Sequence, residues 1–233
     1  MDERFERLTM ILGPEKYQRL KQARVAVFGL GGVGGYVAEA LVRCGIGTLV
    51  LADYDEVELT NFNRQLIATA AELGTKKTQA FKKRIAAINP DCRVSLVEEF
   101  VEAVLLQDWD FSAYDYIVDA IDTVSAKLAI IAKAKQAGVR VISAMGFGNK
   151  FDPGKIVITD IEKTAVCPLA RVLRQQLRKQ GIRKVTVAYS PEQPTIINRR
   201  GQDRIVGSYQ PVVATAGTLI ADRVIKDLMR DGQ

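Results

Sequence analysis

The sequence predicts an α/β fold: a Rossmann-like, doubly wound, mostly parallel sheet with a C-terminal α+β extension. Three observations carry this. Short apolar runs of strand length alternate with amphipathic stretches of helix length from Val25 to Ala144. The first two runs are joined by the turn Gly29-Leu30-Gly31-Gly32-Val33-Gly34-Gly35, and the second ends in an acid, Asp53. Strands that alternate with helices build a parallel sheet covered on both faces. Strand, glycine turn, helix, strand and acid together make a nucleotide-binding βαβ unit.

In order along the chain, Met1 to Gln22 reads as helix broken at Gly13-Pro14, with Arg4-Phe5-Glu6-Arg7 at its start. On residue type alone those two arginines form a solvated helix face. Val25–Phe28 is a buried strand. Gly29 permits the tight turn after it, Gly31 lets the backbone approach a phosphate, and Gly34 lets the next helix pack on the strand. Tyr36–Val42 is that helix, with Val37, Leu41 and Val42 inward, and its N-terminus offers N–H groups to an anion. Thr48–Ala52 is the second strand, and a carboxylate at Asp53 suits ribose hydroxyls. A glycine turn that only packs helix on strand and binds nothing would use the same residues.

Tyr54 to Gln65 is polar and turn-rich. Gly74-Thr75-Lys76-Lys77 opens a helix over 78–89 that stops at Asn89-Pro90. Lysines in a first helical turn oppose the helix dipole, so either an anion binds there or these are tolerated surface lysines. Arg93–Val97 is a third strand, Ala103–Leu106 a short helix, and Tyr116–Asp119 a fourth strand running into Ala120-Ile121-Asp122-Thr123. Ligands of open α/β sheets lie at the carboxyl ends of strands, which suits Asp122 to Mg²⁺; capping the helix over 123–137 is its alternative use. Arg140–Ala144 is a fifth strand. After Gly148 the pattern changes to strands at 155–160 and 185–189 around an amphipathic helix, 168–180. A final helix covers about 212–229. Arg171, Arg174 and Arg178 share one stripe of the 168–180 helix. Arg183, Lys184, Arg199, Arg200 and Arg204 add charge nearby in sequence, which is the footprint expected of RNA or of a plain solvated face.

The chain has 233 residues, 48% of them apolar. It reads as one domain over 1–233: N-terminal helices to 22, a nucleotide-binding core over 23–148, and a substrate-facing part over 149–233. No run is long enough to span a bilayer and none resembles a leader, so a cytoplasmic protein without membrane association is expected. There is no histidine, which excludes a Ser-His-Asp triad, a Cys-His pair and histidine-ligated zinc. Cys44, Cys92 and Cys167 form no CxxC pair, so structural zinc is not expected. Cys44 and Cys92 read as small core residues. Cys167 precedes a helix, a setting that lowers a thiol pKa.

These pieces resemble the ThiF-like adenylyltransferases, relatives of the ubiquitin-activating enzymes, over about Arg4 to Ile158. The segment GLGGVGGYVAEALVRCGIGTLVLADYDEVELTNFNRQ carries the likeness, followed in order by GTKK, INPDCRV and VDAIDT. The resemblance implies ATP and Mg²⁺. It implies that Gly29, Gly31, Gly32 and Gly34 face the phosphates and that Asp53 takes the ribose, with Asp55 beside it. By the same resemblance Asn61 and Arg64 contact the phosphates, Lys77 takes the place of the family lysine, and Asp122 that of the magnesium aspartate. Arg7 looks like the arginine that family dimers insert into the partner's ATP site, which implies a homodimer. The last third, around Asp160 to Arg174, looks like the branch that dehydrates threonylcarbamoyladenosine in tRNA. In that branch a carboxylate is activated by attack on the α-phosphate of ATP, and the substrate then closes into a ring.

Arginine, lysine and Mg²⁺ suffice to stabilise the phosphate charge involved, and no histidine is required. Cys167 occupies the region where some relatives keep a thioester-forming cysteine; it is a candidate catalytic residue, with helix start as the alternative. A monovalent cation (K⁺ or Na⁺) is a further candidate cofactor, and a sulfur-transfer or carrier protein a further candidate partner. Three other readings are an adenylyltransferase acting on a ubiquitin-like sulfur carrier, an NAD(P) oxidoreductase, and a nucleotide sensor without chemistry. Relatives that activate a sulfur carrier usually hold zinc through two CxxC pairs, absent from this sequence. The oxidoreductase leaves the phosphate-directed cations unexplained, and the intact set of Arg64, Lys77 and Asp122 argues against the sensor.

Overall fold

A computed structural model describes residues 2–195 and 206–230 of the chain. A 3-10 turn, Glu3–Phe5, leads into α1 (Glu6–Leu12) and α2 (Pro14–Gln22). The core runs β1 (Arg24–Phe28), α3 (Gly34–Arg43), β2 (Thr48–Ala52), α4 (Lys77–Ile88), β3 (Arg93–Val97), α5 (Ala103–Gln107), β4 (Tyr116–Asp119), α6 (Val124–Gln136) and β5 (Arg140–Ala144). The C-terminal part adds β6 (Val157–Asp160), α7 (Pro168–Lys179), β7 (Thr186–Tyr189) and α8 (Gln210–Met229). The elements expected from the sequence are all present. The strand expected from residue 155 begins at Val157 because Asp152 accepts from the Gly154 N–H and winds Pro153–Lys155 into a 3-10 turn.

One seven-stranded sheet has the order β3-β2-β1-β4-β5-β7-β6. All neighbours are parallel except β6, which pairs antiparallel with β7, Val157 opposite Tyr189. β1 is central: Val25 to Phe28 pair with β2 on one side and β4 on the other. Strand side chains alternate faces, and the two layers follow from that. Val25 and Val27 pack with Val37 and Leu41 of α3, Phe81 of α4, and Ile220 and Val224 of α8. Ala26 and Phe28 pack on the other side with Ile130 and Ile131 of α6 and Leu173 and Leu177 of α7. Both faces of the central strands are therefore apolar, which is why they read as continuous hydrophobic runs.

From β1 the chain runs outward to β2 and β3, then crosses back to β4 on the other side of β1. That divergence opens a crevice above the carboxyl ends of these strands.

Candidate functional site

A cavity of about 490 Å³ fills this crevice. Its floor is the turn after β1. Gly29 has φ +85°, and a Cβ on Gly34 would lie 1.8 Å from the Gly29 carbonyl oxygen. Only glycine lets α3 start so close to the strand, and this puts the helix N-terminus against the cavity. A Cβ on Gly31 would meet nothing nearer than Gln65 Nε2 at 3.9 Å, so the turn forms an open backbone cradle. Gly32 lines the same floor.

Asp53 directly follows β2 and is buried. Its Oδ2 accepts the Leu30 N–H at 2.6 Å, and Oδ1 accepts the Asp55 N–H at 2.9 Å. The carboxylate thus braces the glycine turn while still facing the cavity. Burial pushes its carboxyl above the ordinary carboxylate range, against the opposing influence of Lys77 and of the two N–H donors. Lys77 opens α4 and is only 4% exposed; its Nζ donates to Asp55 Oδ2 at 2.7 Å. The reading of Lys77 as a tolerated surface lysine is therefore wrong: the side chain turns inward to a carboxylate at the cavity wall. The Asn61 carboxamide accepts the Glu58 N–H at 3.2 Å and holds the 3-10 turn Leu59–Asn61. Arg64 donates to Thr60 O at 2.8 Å and Asn63 Oδ1 at 3.0 Å. Asn61, Arg64, Lys77, Asp53 and Asp55 all line the cavity.

Asp122 lines the opposite wall and is exposed. It does not cap α6: Thr123 is the cap residue and makes no side-chain cap bond. Among the described residues the Asp122 carboxylate accepts a hydrogen bond only from the Thr123 hydroxyl, at 3.4 Å. The wall that carries it is anchored by a group that sequence reasoning missed. Lys127 is wholly buried; its Nζ donates to Asp119 Oδ2 at 3.1 Å, Ser143 Oγ at 3.3 Å and Ala144 O at 2.7 Å. Ser143 Oγ donates to Asp119 Oδ2 at 2.5 Å, and Asp119 Oδ1 accepts the Ile121 N–H at 3.2 Å. One ammonium ties together the carboxyl ends of β4 and β5. Helical spacing held the signal, because Lys127 shares the apolar face of Ile130, Ile131 and Ala134.

Gln65 was also missed. It is buried and lines the cavity, and its Oε1 has no hydrogen-bond partner among the described residues. A buried carboxamide oxygen left without a donor is costly, and a ligand in the cradle would supply the missing group. The open backbone at Gly31, the Gln65 carboxamide and the cations of Lys77 and Arg64 together fit a nucleoside phosphate.

Other residues singled out from the sequence lie elsewhere. Cys167 is 3% exposed, at the start of α7 and within the apolar layer under that helix. Its Sγ sits behind Gly146, whose Cβ position is 3.7 Å away. Cys92 is buried, and burial pushes its thiol up to about 11; Cys44 is half-buried rather than in the core. Arg7 is exposed on α1. The turn before it is fixed at the amino end of the sheet: Phe5 packs on Tyr17, and Arg4 reaches Asn89 and Asp91 just before β3. Arg7 does not line its own chain's cavity.

The expected basic stripe on α7 is corrected. Arg174 is half-buried and donates to Thr164 O at 2.9 Å and Thr164 Oγ1 at 2.6 Å. Arg178 Nε donates to Glu162 Oε2 at 3.0 Å, and Arg183 pairs with the same carboxylate at 3.4 Å. The turn after β6 packs along α7 and supplies these acceptors, which helix periodicity does not reveal. Arg171 remains exposed, while Arg199, Arg200 and Arg204 lie outside the described residues. Arg174→Ala is expected to lower stability by about 1–2 kcal/mol, the worth of charge-assisted bonds partly open to solvent. A shifted urea midpoint would show this; altered RNA binding at unchanged stability would return Arg174 to a binding face.

The fold and the glycine-floored cavity define a nucleotide-binding α/β protein. The model of the ThiF family matches residues 5–233, and the chain belongs to that family. It is 39% identical over 246 residues to the tRNA threonylcarbamoyladenosine dehydratase of Bacillus subtilis (strain 168), covering 99% of this chain and 96% of that protein. It also resembles the E. coli tRNA N6-threonylcarbamoyladenosine dehydratase crystallised in complex with AMP. That match has a TM-score of 0.90 at 34% identity, over 97% of this chain and 94% of the other. The same enzyme in complex with ATP gives a TM-score of 0.89 over 97% and 93% of the two chains, also at 34% identity.

Proposed function

We propose that this chain is an ATP-dependent tRNA threonylcarbamoyladenosine dehydratase: it adenylates the threonine carboxylate of the modified adenosine and promotes its cyclisation. The observation that carries the reading is the cavity itself. It gathers the glycine cradle, Asp53, Arg64, Lys77 and Asp122 in one crevice, and the chain around it matches a named dehydratase over nearly its whole length.

The α-phosphate is placed by the backbone of the glycine turn and the N-terminus of α3. Phe100 and Val101 on the cavity wall offer an apolar surface for the adenine, and Asp53 retains acceptor capacity for ribose hydroxyls. Arg64, Lys77 and Asn61 face the phosphate chain. The threonine carboxylate attacks the α-phosphorus; an acyl–phosphate bond forms, and the α–β bridging bond breaks to release pyrophosphate. An internal nucleophile of the same threonylcarbamoyl group then closes on the acyl carbon and expels AMP. The sum is loss of one water from the modified base and conversion of ATP to AMP and pyrophosphate. Charge accumulates on phosphate oxygens throughout, and fixed cations stabilise such charge best in a site shielded from water.

Mg²⁺ fits the residues present. Among the described residues no group of three or more acidic, cysteine or histidine side chains gathers around one point. Mg²⁺ is commonly held by one or two carboxylates together with substrate phosphates and water. Asp122 is the carboxylate that would hold it, and bound there the ion would neutralise phosphate charge. The position of Arg7 at the far end of the sheet from its own cavity supports a contribution in trans, and so a homodimer.

Incubation with labelled ATP and tRNA carrying threonylcarbamoyladenosine is expected to yield AMP and pyrophosphate, with a product nucleoside lighter by one water in mass spectrometry. Release of ADP and orthophosphate would overturn the adenylation mechanism. Activity on the C-terminus of a ubiquitin-like protein, with none on tRNA, would overturn the substrate.

A further inference from the structure

An exposed pair of stacked aromatic rings stands at the rim of the cavity. Phe151 is 66% exposed and Tyr209 38% exposed. Their ring centroids are 4.4 Å apart, with 23° between the planes. Neither belongs to the apolar layers. Both flank segments that do line the cavity: Phe151 follows Gly146–Gly148, and Tyr209 follows Gly207-Ser208.

The two segments are held firmly. Asn149 takes φ +57°, an uncommon conformation for a residue with a side chain. In that conformation its Oδ1 accepts the Gly207 N–H at 2.6 Å, while its own N–H donates to Gly207 O at 2.8 Å. The Glu192 carboxylate accepts two consecutive backbone N–H groups, from Phe151 at 2.9 Å and Asp152 at 3.1 Å. On the other side Asn63 donates to Ser208 O at 3.2 Å, which links the rim to the turn that carries Arg64. The Gln210 amide donates to the Tyr36 hydroxyl at 2.7 Å. Carboxylates and carboxamides are thus used to fix two rings that face solvent.

We infer that Phe151 and Tyr209 form a stacking platform for the nucleobase next to the modified adenosine. This rests on the tRNA reading above. A base presented to the cavity must leave its own stack, and its neighbour in the strand then exposes a π-face a few ångströms from the rim. Aromatic side chains bind such faces with little regard to base identity. A platform already held by hydrogen bonds loses little conformational freedom on binding. The pair also lies outside the cavity wall formed by Phe100 and Val101, so it does not compete for the adenine of ATP.

The test compares wild-type protein with Phe151→Ala, Phe151→Leu and Phe151→Tyr on an RNA stem-loop whose loop carries threonylcarbamoyladenosine. Losing one stacked base is worth roughly a five- to hundred-fold change in affinity. The alanine and leucine variants are expected to raise KM for the stem-loop by about ten-fold or more, with kcat and the KM for ATP unchanged, and tyrosine is expected to restore it. On stem-loops with an abasic residue at the neighbouring position, 5′ or 3′, the wild type is expected to lose the same factor and the alanine variant to lose nothing further. Equal KM values for wild type and alanine variant would overturn the platform, as would a tyrosine variant that behaves like alanine. A penalty that persists in full on both abasic substrates, or one that tracks dissociation of a dimer in sedimentation, would overturn it as well. If wild-type protein dehydrates no substrate at all, the failure belongs to the tRNA reading.

Discussion

Asp122→Ala is expected to lower adenylation turnover by roughly 10²–10³-fold, the usual loss when one fixed electrostatic partner of a transition state is removed. The fold is expected to survive. Asp122 is exposed, is not the cap of α6, and among the described residues is hydrogen-bonded only by the Thr123 hydroxyl. Circular dichroism and the urea midpoint should match wild type, while release of labelled pyrophosphate collapses; unchanged release would remove Asp122 from the site. The same variant tests the proposed role of Arg7 across a dimer. In a two-fold symmetric dimer with Arg7 acting in trans, a heterodimer of Arg7→Ala and Asp122→Ala holds one complete site. Random mixing then restores about one quarter of wild-type activity. If Arg7 acted within its own chain, neither site of the heterodimer would be complete, and the mixture would stay inactive although mixed dimers form.

The central unit was legible because its constraints are local. Glycine at position 34 answers a contact with the Gly29 carbonyl five residues earlier, glycine at 29 answers its own positive φ, and apolar runs such as Val25–Phe28 announce burial on both faces. Residues that face the cavity from the loops were legible mainly through family likeness. Periodicity alone says little about Asn61 or Arg64 in a polar turn. Features that depend on contacts between distant segments were misread or missed. The α7 arginines looked free because their acceptors, Thr164 and Glu162, lie in a turn that helix spacing cannot relate to them. The dipole argument left Lys77 open between an anion ligand and a surface lysine, because its partner Asp55 lies 22 residues earlier. The Phe151–Tyr209 stack joins residues on either side of β6, α7 and β7. Lys127 was the one omission with a local signal, a charge on an apolar helical face.

Lys127→Met is expected to cost about 3–5 kcal/mol, the usual loss when one partner of a buried ion pair is removed. Lys127 and Asp119 are both wholly buried. Methionine fills the space of the lysine stem but, among the described residues, leaves the Asp119 carboxylate with only the Ser143 hydroxyl and the Ile121 N–H. Ala144 O also loses a donor. A stability loss of less than about 1 kcal/mol, read from urea unfolding, would show that the pair is not coupled to folding.

The double variant Lys127→Met with Asp119→Leu separates two roles. Replacing both partners of a buried pair by apolar groups is often close to neutral for stability, so the double variant is expected to recover most of the loss, with a coupling energy measured by the four-way cycle. Turnover should not recover with it. The ammonium bridges the ends of β4 and β5, and Ile121, whose N–H is held by Asp119, directly precedes Asp122. Without that bridge the Asp122 wall is no longer fixed relative to the glycine cradle, and a displacement of about 1 Å at a reacting group costs on the order of 10²-fold in rate. A stable double variant with low turnover would assign the ion pair to placing Asp122; one that regains both would assign it to folding alone.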